Sequence, residues 1–202
     1  MNDAAATTAG VLLAAGRARR MGRLKQLLAW GDSTVVAAAF DGLVPYCGAG
    51  MVVVVGDDAD QVLKALGDRP MHRVHGDSDA EQIHSALLGL RHAVGLPGVR
   101  HVLLHPADHP VVPSPVVERM LSRVQASDRA MIPTYGGRGG HPVLIPASVV
   151  EAIACCDAGE TAGGLRGYWE SHPEEVQRVE FPDAGELIMD LDTPDDYASM
   201  RP

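Results

Sequence analysis

Residues 51–56 read Met-Val-Val-Val-Val-Gly, four β-branched side chains in a row. Side chains of a strand alternate between its two faces, so a strand of this kind needs cover on both. That is the central position of a sheet sandwiched between helices. The rest of the chain repeats the theme. Short apolar runs occur at Val11–Ala15, Met71–His75, His101–His105, Ala130–Pro133, Pro142–Ile145 and Val176–Phe181. Between them, helices are predicted over Val35–Leu43, Asp58–Leu66, Asp79–Val94, Pro115–Val124, Ala147–Ala154 and Asp195–Met200. In Asp79–Val94 the residues Ile83, Ala86, Leu87, Leu90 and Val94 recur at three- and four-residue spacing and form one apolar face. Strands alternating with helices predict an α/β fold: three layers, a mostly parallel sheet with helices on both faces. With no repeat or linker in sight, residues 1–202 are expected to form one domain, the first eight as a loose tail. Ligands then belong beyond the carboxyl ends of the strands.

Charge narrows the function. With 26 acidic against 17 basic residues the net charge is −9, which disfavours a general nucleic-acid or anionic-membrane surface. Aromatic residues are 4% of the chain, too few for base-stacking platforms. Cys47, Cys155 and Cys156 supply neither a disulfide framework nor a C-x-x-C pair, as expected of a reducing cytoplasm. No basic leader and no long apolar run suggest secretion or a membrane span.

Against this acidic background, residues 17–25 carry Arg17, Arg19, Arg20, Arg23 and Lys25. They follow directly from the first strand through Gly16, with Gly22 between them. Glycines let a backbone turn sharply and approach an anion closely, and the exposed N–H groups of such a loop cradle phosphate oxygens. A local inversion of charge there points to a polyanion such as a nucleoside triphosphate. The loop has neither the G-K-[S/T] ending of a Walker A element nor a G-x-G-x-x-G dinucleotide fingerprint.

The stretch L-A-A-G-x-x-x-R-M-G-x-x-K, Leu13 to Lys25, resembles the signature of the MobA/MocA-like nucleotidyltransferases, the molybdenum cofactor guanylyl- and cytidylyltransferases and their relatives. Further segments are similar to the family's landmarks in the same order: EQIHSALLGL (Glu81–Leu90), HPADHPVV (His105–Val112), GGRGGHPVLI (Gly136–Ile145) and DLDTPDDY (Asp190–Tyr197). The resemblance implies a Rossmann-like nucleotidyltransferase fold. It also implies in-line attack by an acceptor phosphate on the α-phosphate of an NTP, with release of pyrophosphate. Mg²⁺ would be the cofactor, with Asp108 and Asp192 as its ligands and Asp190 a weaker candidate. Arg20 and Lys25 would hold the triphosphate and, with Asp108, carry catalysis. Leu13, Ala14, Ala15, Gly16, Met21, Gly22 and Ser85 would complete the nucleotide site, and His109 and His141 would face the acceptor. Ala15, in A-A-G rather than A-G-G, favours CTP over GTP. The acceptor implied first is molybdopterin, with a molybdenum hydroxylase as a further partner.

Alternatives remain at this level: a sugar phosphate or methylerythritol phosphate as acceptor, or a non-catalytic nucleotide-binding or cofactor-delivery module. Two positions depart from the family pattern. Glu81-Gln82 stands where a Gly-Met pair is usual, and His109 stands in place of a glutamine beside the acidic residue. His101, His105 and His109 recur every fourth residue, but Pro106 and Pro110 exclude the helix that would stack them around a transition metal.

Overall fold

The computed structural model describes residues 3–16, 24–77, 82–124, 127–156, 163–189, 191 and 193–201. Seven strands form the main path of one sheet. In chain order these are β1 (Thr8–Ala14), β4 (Gly50–Val55), β5 (His72–His75), β6 (His101–Pro106), β7 (Ala130–Tyr135), β9 (Val143–Pro146) and β10 (Val176–Glu180). Their spatial order is β10-β7-β9-β6-β1-β4-β5, and a two-residue strand, β8 (Arg138–Gly139), pairs with β7. All neighbours are parallel except β9, which runs antiparallel to β6 and β7, and the β7–β8 hairpin. A separate ribbon joins β2 (Ala29–Trp30) to β3 (Ser33–Thr34).

The four valines behave as their pattern requires. Val53 and Val55 enter one apolar core; Val52 and Val54 enter the other. On the first face lie α2 (Val35–Leu43), α3 (Ala59–Leu66) and α5 (Ser114–Leu121), contributing Phe40, Leu66 and Met120. On the second lie α4 (Gln82–Val94), α6 (Ala147–Cys155) and α7 (Gly164–Ser171), contributing Leu90, Ile153 and Tyr168. Each fully buried valine contributes about 1.5–3 kcal/mol, so slipping β4 by one residue would exchange its two faces at large cost.

One expectation needs correction. The amino-terminal residues 3–8 are not loose: α1 (Asp3–Ala6) buries Ala4 and Ala5, and Thr8 already belongs to β1. The Thr8 hydroxyl donates to the Ala4 carbonyl at 2.8 Å, and the Gly48 amide donates to Ala5 at 2.9 Å. Three alanines in a row have no amphipathic period to read, which is why the pattern missed them. Helix α7 was also missed, because glycines at 163, 164 and 167 mask the apolar positions Leu165, Tyr168 and Trp169. Near the carboxyl end, Thr193 is the N-cap of the last helix. Its hydroxyl accepts from the Asp196 amide, and the Asp196 carboxylate accepts from the Thr193 amide, a capping box opening α8 (Pro194–Met200).

Helix α4 sits unusually close to the sheet. A Cβ on Gly89 would fall 2.6 Å from Cγ atoms of both Val11 and Val54. These valines are fully buried and have no room to retreat. We expect Gly89→Ala to destabilise the fold by roughly 1–3 kcal/mol through overpacking, although alanine is the better helix former. Urea unfolding measures this; an unchanged or raised midpoint would mean that α4 is free to shift outward.

Candidate active site

Strands β1, β4 and β6 are parallel and adjacent, so their carboxyl ends open on one edge. Leu13 lies in register with Pro106 and Ala14 with Val55. Beyond the last rung, the Ala107 amide donates to the Leu13 carbonyl at 3.0 Å. The loop after β1 and the turn after β6 therefore leave the sheet side by side. Ala14 and Ala15 are buried here, Ala15 against the α4 side of the sheet.

On the far side of the basic loop, Lys25–Leu27 forms one tight helical turn. Gln26 donates from Nε2 to the Gly16 carbonyl at 3.2 Å and so clips the base of the loop shut. Its Oε1 is buried without a partner among the described residues. Lys25 Nζ lies 3.9 Å from Asp108 Oδ2, their side chains 13% and 32% exposed. At that distance and exposure the ion pair is weak, so both groups can take other partners. Arg20, Met21 and Gly22, together with Arg17, Arg19 and Arg23, lie outside the described residues.

Asp190 and Asp192 also lie outside the described residues, but Leu191 between them does not. The Leu191 amide donates to the Asp108 carbonyl at 3.4 Å, and its side chain packs with Leu28 and Val35. Tyr197 adds a hydrogen bond from its hydroxyl to the Ala29 carbonyl at 2.7 Å. The carboxyl-terminal segment is thus folded over the turn that carries Lys25 and tied to the turn that carries Asp108. Ser85 is buried in α4. Its Oγ lies 2.9 Å from where a Cβ of Gly76 would sit, which places it at the end of β5.

His109 and His141 come together, with ring centres 5.2 Å apart. His105 completes a trio at 5.9 Å from His109 and 6.2 Å from His141. His101 is not part of it, and among the described residues no three His, Cys, Asp or Glu side chains are grouped to hold a metal ion. His105 is fully buried. Its Nε2 lies 2.8 Å from the His109 carbonyl; a carbonyl only accepts, so Nε2 carries the proton. Burial, then the neighbouring His141, hold the His105 pKa well below its usual value. Burial, then His109, push His141 down to about 3, against a smaller opposing effect of the Leu104 backbone. His141 is fixed by its own amide, which donates to the Leu187 carbonyl at 3.2 Å. Gly140 is required for that approach, because a Cβ there would lie 2.5 Å from the same oxygen.

His141 also forms part of the wall of a cleft of about 660 Å³ on the α4 side of the sheet. The cleft runs from Leu13 and Ala86 to α7 and Arg178. Sequence reading missed this cleft, as it missed Gln26 and Glu180. Glu180 accepts from the Thr134 hydroxyl and, at 2.7 Å, from the Gly136 amide. It thereby pins the two-residue β7–β8 turn, whose Gly136 and Gly137 sit at φ +55° and +75° as such hairpins require. Only the contact across 44 residues identifies Glu180; nothing in its local sequence does.

The MobA-like NTP transferase domain matches residues 10–176. The chain belongs to this family. Its MobA-like relatives include the molybdenum cofactor cytidylyltransferase of Escherichia coli K12, 22% identical over 95% of this chain and 94% of that protein. The molybdenum cofactor guanylyltransferase of Shewanella loihica is 28% identical over 92% and 91%. Among solved structures, Rv0371c of Mycobacterium tuberculosis superposes with a TM-score of 0.81 at 26% identity, covering 96% of this chain and 97% of that one. A manganese complex of Rv0371c superposes at 0.73 with 25% identity, covering 96% and 98%. The MobA-like chain is accordingly a nucleotidyltransferase enzyme with a Rossmann-like fold. None of its described helices is long and apolar enough to cross a membrane.

The neutral histidines set a pH dependence. The unfolded chain takes up a proton at each near pH 6.5, whereas the folded chain does so only at much lower pH. Below pH 6.5 the unfolded state therefore binds more protons and stability falls, by up to about 1.4 kcal/mol per pH unit for each histidine. Stability is fully present above pH 7. We expect urea midpoints to drop between pH 6.5 and 4.5, and His141→Gln to drop less steeply. An identical decline in the variant would place the proton uptake elsewhere.

Proposed function

We propose that the protein transfers CMP from CTP to the phosphate of molybdopterin, with Mg²⁺ bound by Asp108 and Asp192. The apposition of Lys25 and Asp108 at the neighbouring ends of β1 and β6 carries this reading. Mg²⁺ takes hard oxygen ligands and needs only one or two carboxylates, with phosphate oxygens and water completing its shell. Asp108 fits that requirement: its carboxylate is partly exposed and held by a single weak cationic neighbour among the described residues. In support, Leu191, which precedes Asp192 in the sequence, donates its amide to the Asp108 carbonyl. When bound, the ion neutralises charge on the phosphate oxygens.

The chain's own residues supply the rest. Gly16, Arg20, Met21 and Gly22 cradle the triphosphate, with backbone groups of Leu13, Ala14 and Ala15 near the ribose and base. Lys25 exchanges Asp108 for a phosphate oxygen and stabilises the departing pyrophosphate. The acceptor phosphate oxygen forms a bond to the α-phosphorus as the bond to the bridging oxygen breaks, in line and with no covalent enzyme intermediate. His109 and His141 border the acceptor side, and Ser85 stands behind the nucleotide half. The product is a dinucleotide-like cofactor, and a molybdenum hydroxylase is the class of protein that would receive it. Ala15 supports cytidine. The 28% identity to a guanylyltransferase, against 22% to the cytidylyltransferase, favours GTP as the second reading.

A thermal-shift series with each NTP and Mg²⁺, then pyrophosphate release with molybdopterin, tests this. CTP alone should raise Tm, and only the CTP reaction should release pyrophosphate. Asp108→Ala should lower turnover by roughly a hundredfold or more with Tm little changed, since the backbone that receives Leu191 remains. Equal shifts from every NTP would remove the cytidine preference; wild-type turnover in Asp108→Ala would remove Asp108 from the reaction.

A further inference from the structure

The turn after β6 carries Asp108, and hydrogen bonds tie down its backbone. The Ala107 amide donates to the Leu13 carbonyl at 3.0 Å, the His109 amide to Pro106 at 3.3 Å, and the Leu191 amide to the Asp108 carbonyl at 3.4 Å. Pro106 and Pro110 flank the turn and bring no N–H of their own. The His109 carbonyl is met by a side chain instead, His105 Nε2 at 2.8 Å. This is the shortest of the four bonds.

An imidazole is a poor choice for this position if folding is all that it serves. His105 stands inside the sheet, in register with Leu12 and next to Leu104, with no exposed surface. One ring nitrogen donates to His109, while Nδ1 is buried without a partner among the described residues. Leaving a buried polar atom unsatisfied costs at least as much as one neutral hydrogen bond returns. A leucine would fill similar space without that penalty. What it would lack is the proton that His105 presents to the turn.

The Asp108 side chain itself is loosely held. It is 32% exposed, and its ion pair with Lys25, at 3.9 Å, is weak. The aim of the carboxylate is thus set by the backbone on which it stands, one residue before the carbonyl that His105 holds.

We infer that His105 is a positioning residue, which by holding the His109 carbonyl fixes the turn that aims Asp108 at the divalent ion of the reaction. This rests on the nucleotidyl-transfer reading and its metal, and adds to it a residue with no surface to touch either nucleotide or ion. Partners of this outer kind tune a metal site through the geometry that they impose. The donor must reach from the end of β6 across the turn, which the far nitrogen of the imidazole does. A glutamine amide reaches the same point. An asparagine amide ends near the Nδ1 position and falls short.

The test compares His105→Gln, His105→Asn and His105→Leu. Binding of the Mn²⁺–CTP complex is titrated by water-proton relaxation enhancement, which responds to metal held on the protein, and pyrophosphate release with molybdopterin is followed in parallel. His105→Asn and His105→Leu should raise the Kd for Mn²⁺–CTP roughly ten- to a hundredfold and lower kcat. His105→Gln should stay close to wild type in both. Urea midpoints without ligand report folding, and His105→Leu should unfold near the wild-type midpoint, since losing the Nδ1 penalty offsets losing the bond. The Gln and Asn variants carry the same amide at two reaches, so their contrast decides the matter however well His105→Leu folds. Wild-type binding in His105→Asn, or equal weakening in His105→Asn and His105→Gln, would overturn the assignment; the second result would make His105 a packing residue. Either leaves the transfer reading standing, because wild type still binds the complex. A wild type that binds no Mn²⁺–CTP would overturn that reading, and this inference with it.

Discussion

Everything in the candidate site depends on β1 being paired in parallel on both sides. With β4 and β6 as neighbours, three chain segments distant in sequence must end on the same edge. The register then sets the details. Leu13 opposite Pro106, and the Ala107 amide on the Leu13 carbonyl, bring the segments that start at Ala15 and Asp108 off the sheet side by side. Parallel pairing is only stable when both faces are covered, so the apolar cores above and below are a condition of the site as much as of the fold. A one-residue slip of β1 would turn Val11 and Leu12 to the wrong faces, which makes the alignment of the two loops costly to disturb.

The sheet was legible because its signals are local. Runs such as Val52–Val55 specify a buried strand by composition alone, and the helices between them show their period within a dozen residues. What escaped is what depends on partners far away in the chain. Residues 3–6 are helical because Ala4 and Ala5 pack against distant neighbours and Gly48 bonds to Ala5. Likewise, β9 was readable as a strand, but its antiparallel insertion between β6 and β7 was not, since direction is settled by the connections around it.

The site divides in the same way. Lys25 and Asp108 were readable because a basic loop after a strand and an acid after another strand must meet if the strands are parallel neighbours. Gln26, Glu180 and the placement of Arg178 were not. Each does its work through a backbone or side-chain contact across the fold: Gln26 on the Gly16 carbonyl, Glu180 on the Gly136 amide, Arg178 over Gly139. The histidine trio falls between these cases. Its members were visible as residues, but the three that gather are His105, His109 and His141, and the spacing of four residues that drew in His101 was incidental.

An acidic protein that binds a triphosphate must solve an electrostatic problem. At net charge −9 the surface as a whole repels the ligand, while residues 17–25 hold five cationic side chains. That contrast in the sequence concentrates positive charge directly after β1, where it attracts a polyanion. Asp108 then limits the attraction. A carboxylate 3.9 Å from Lys25 partly balances that cation, and so weak a pair commits neither group to the other.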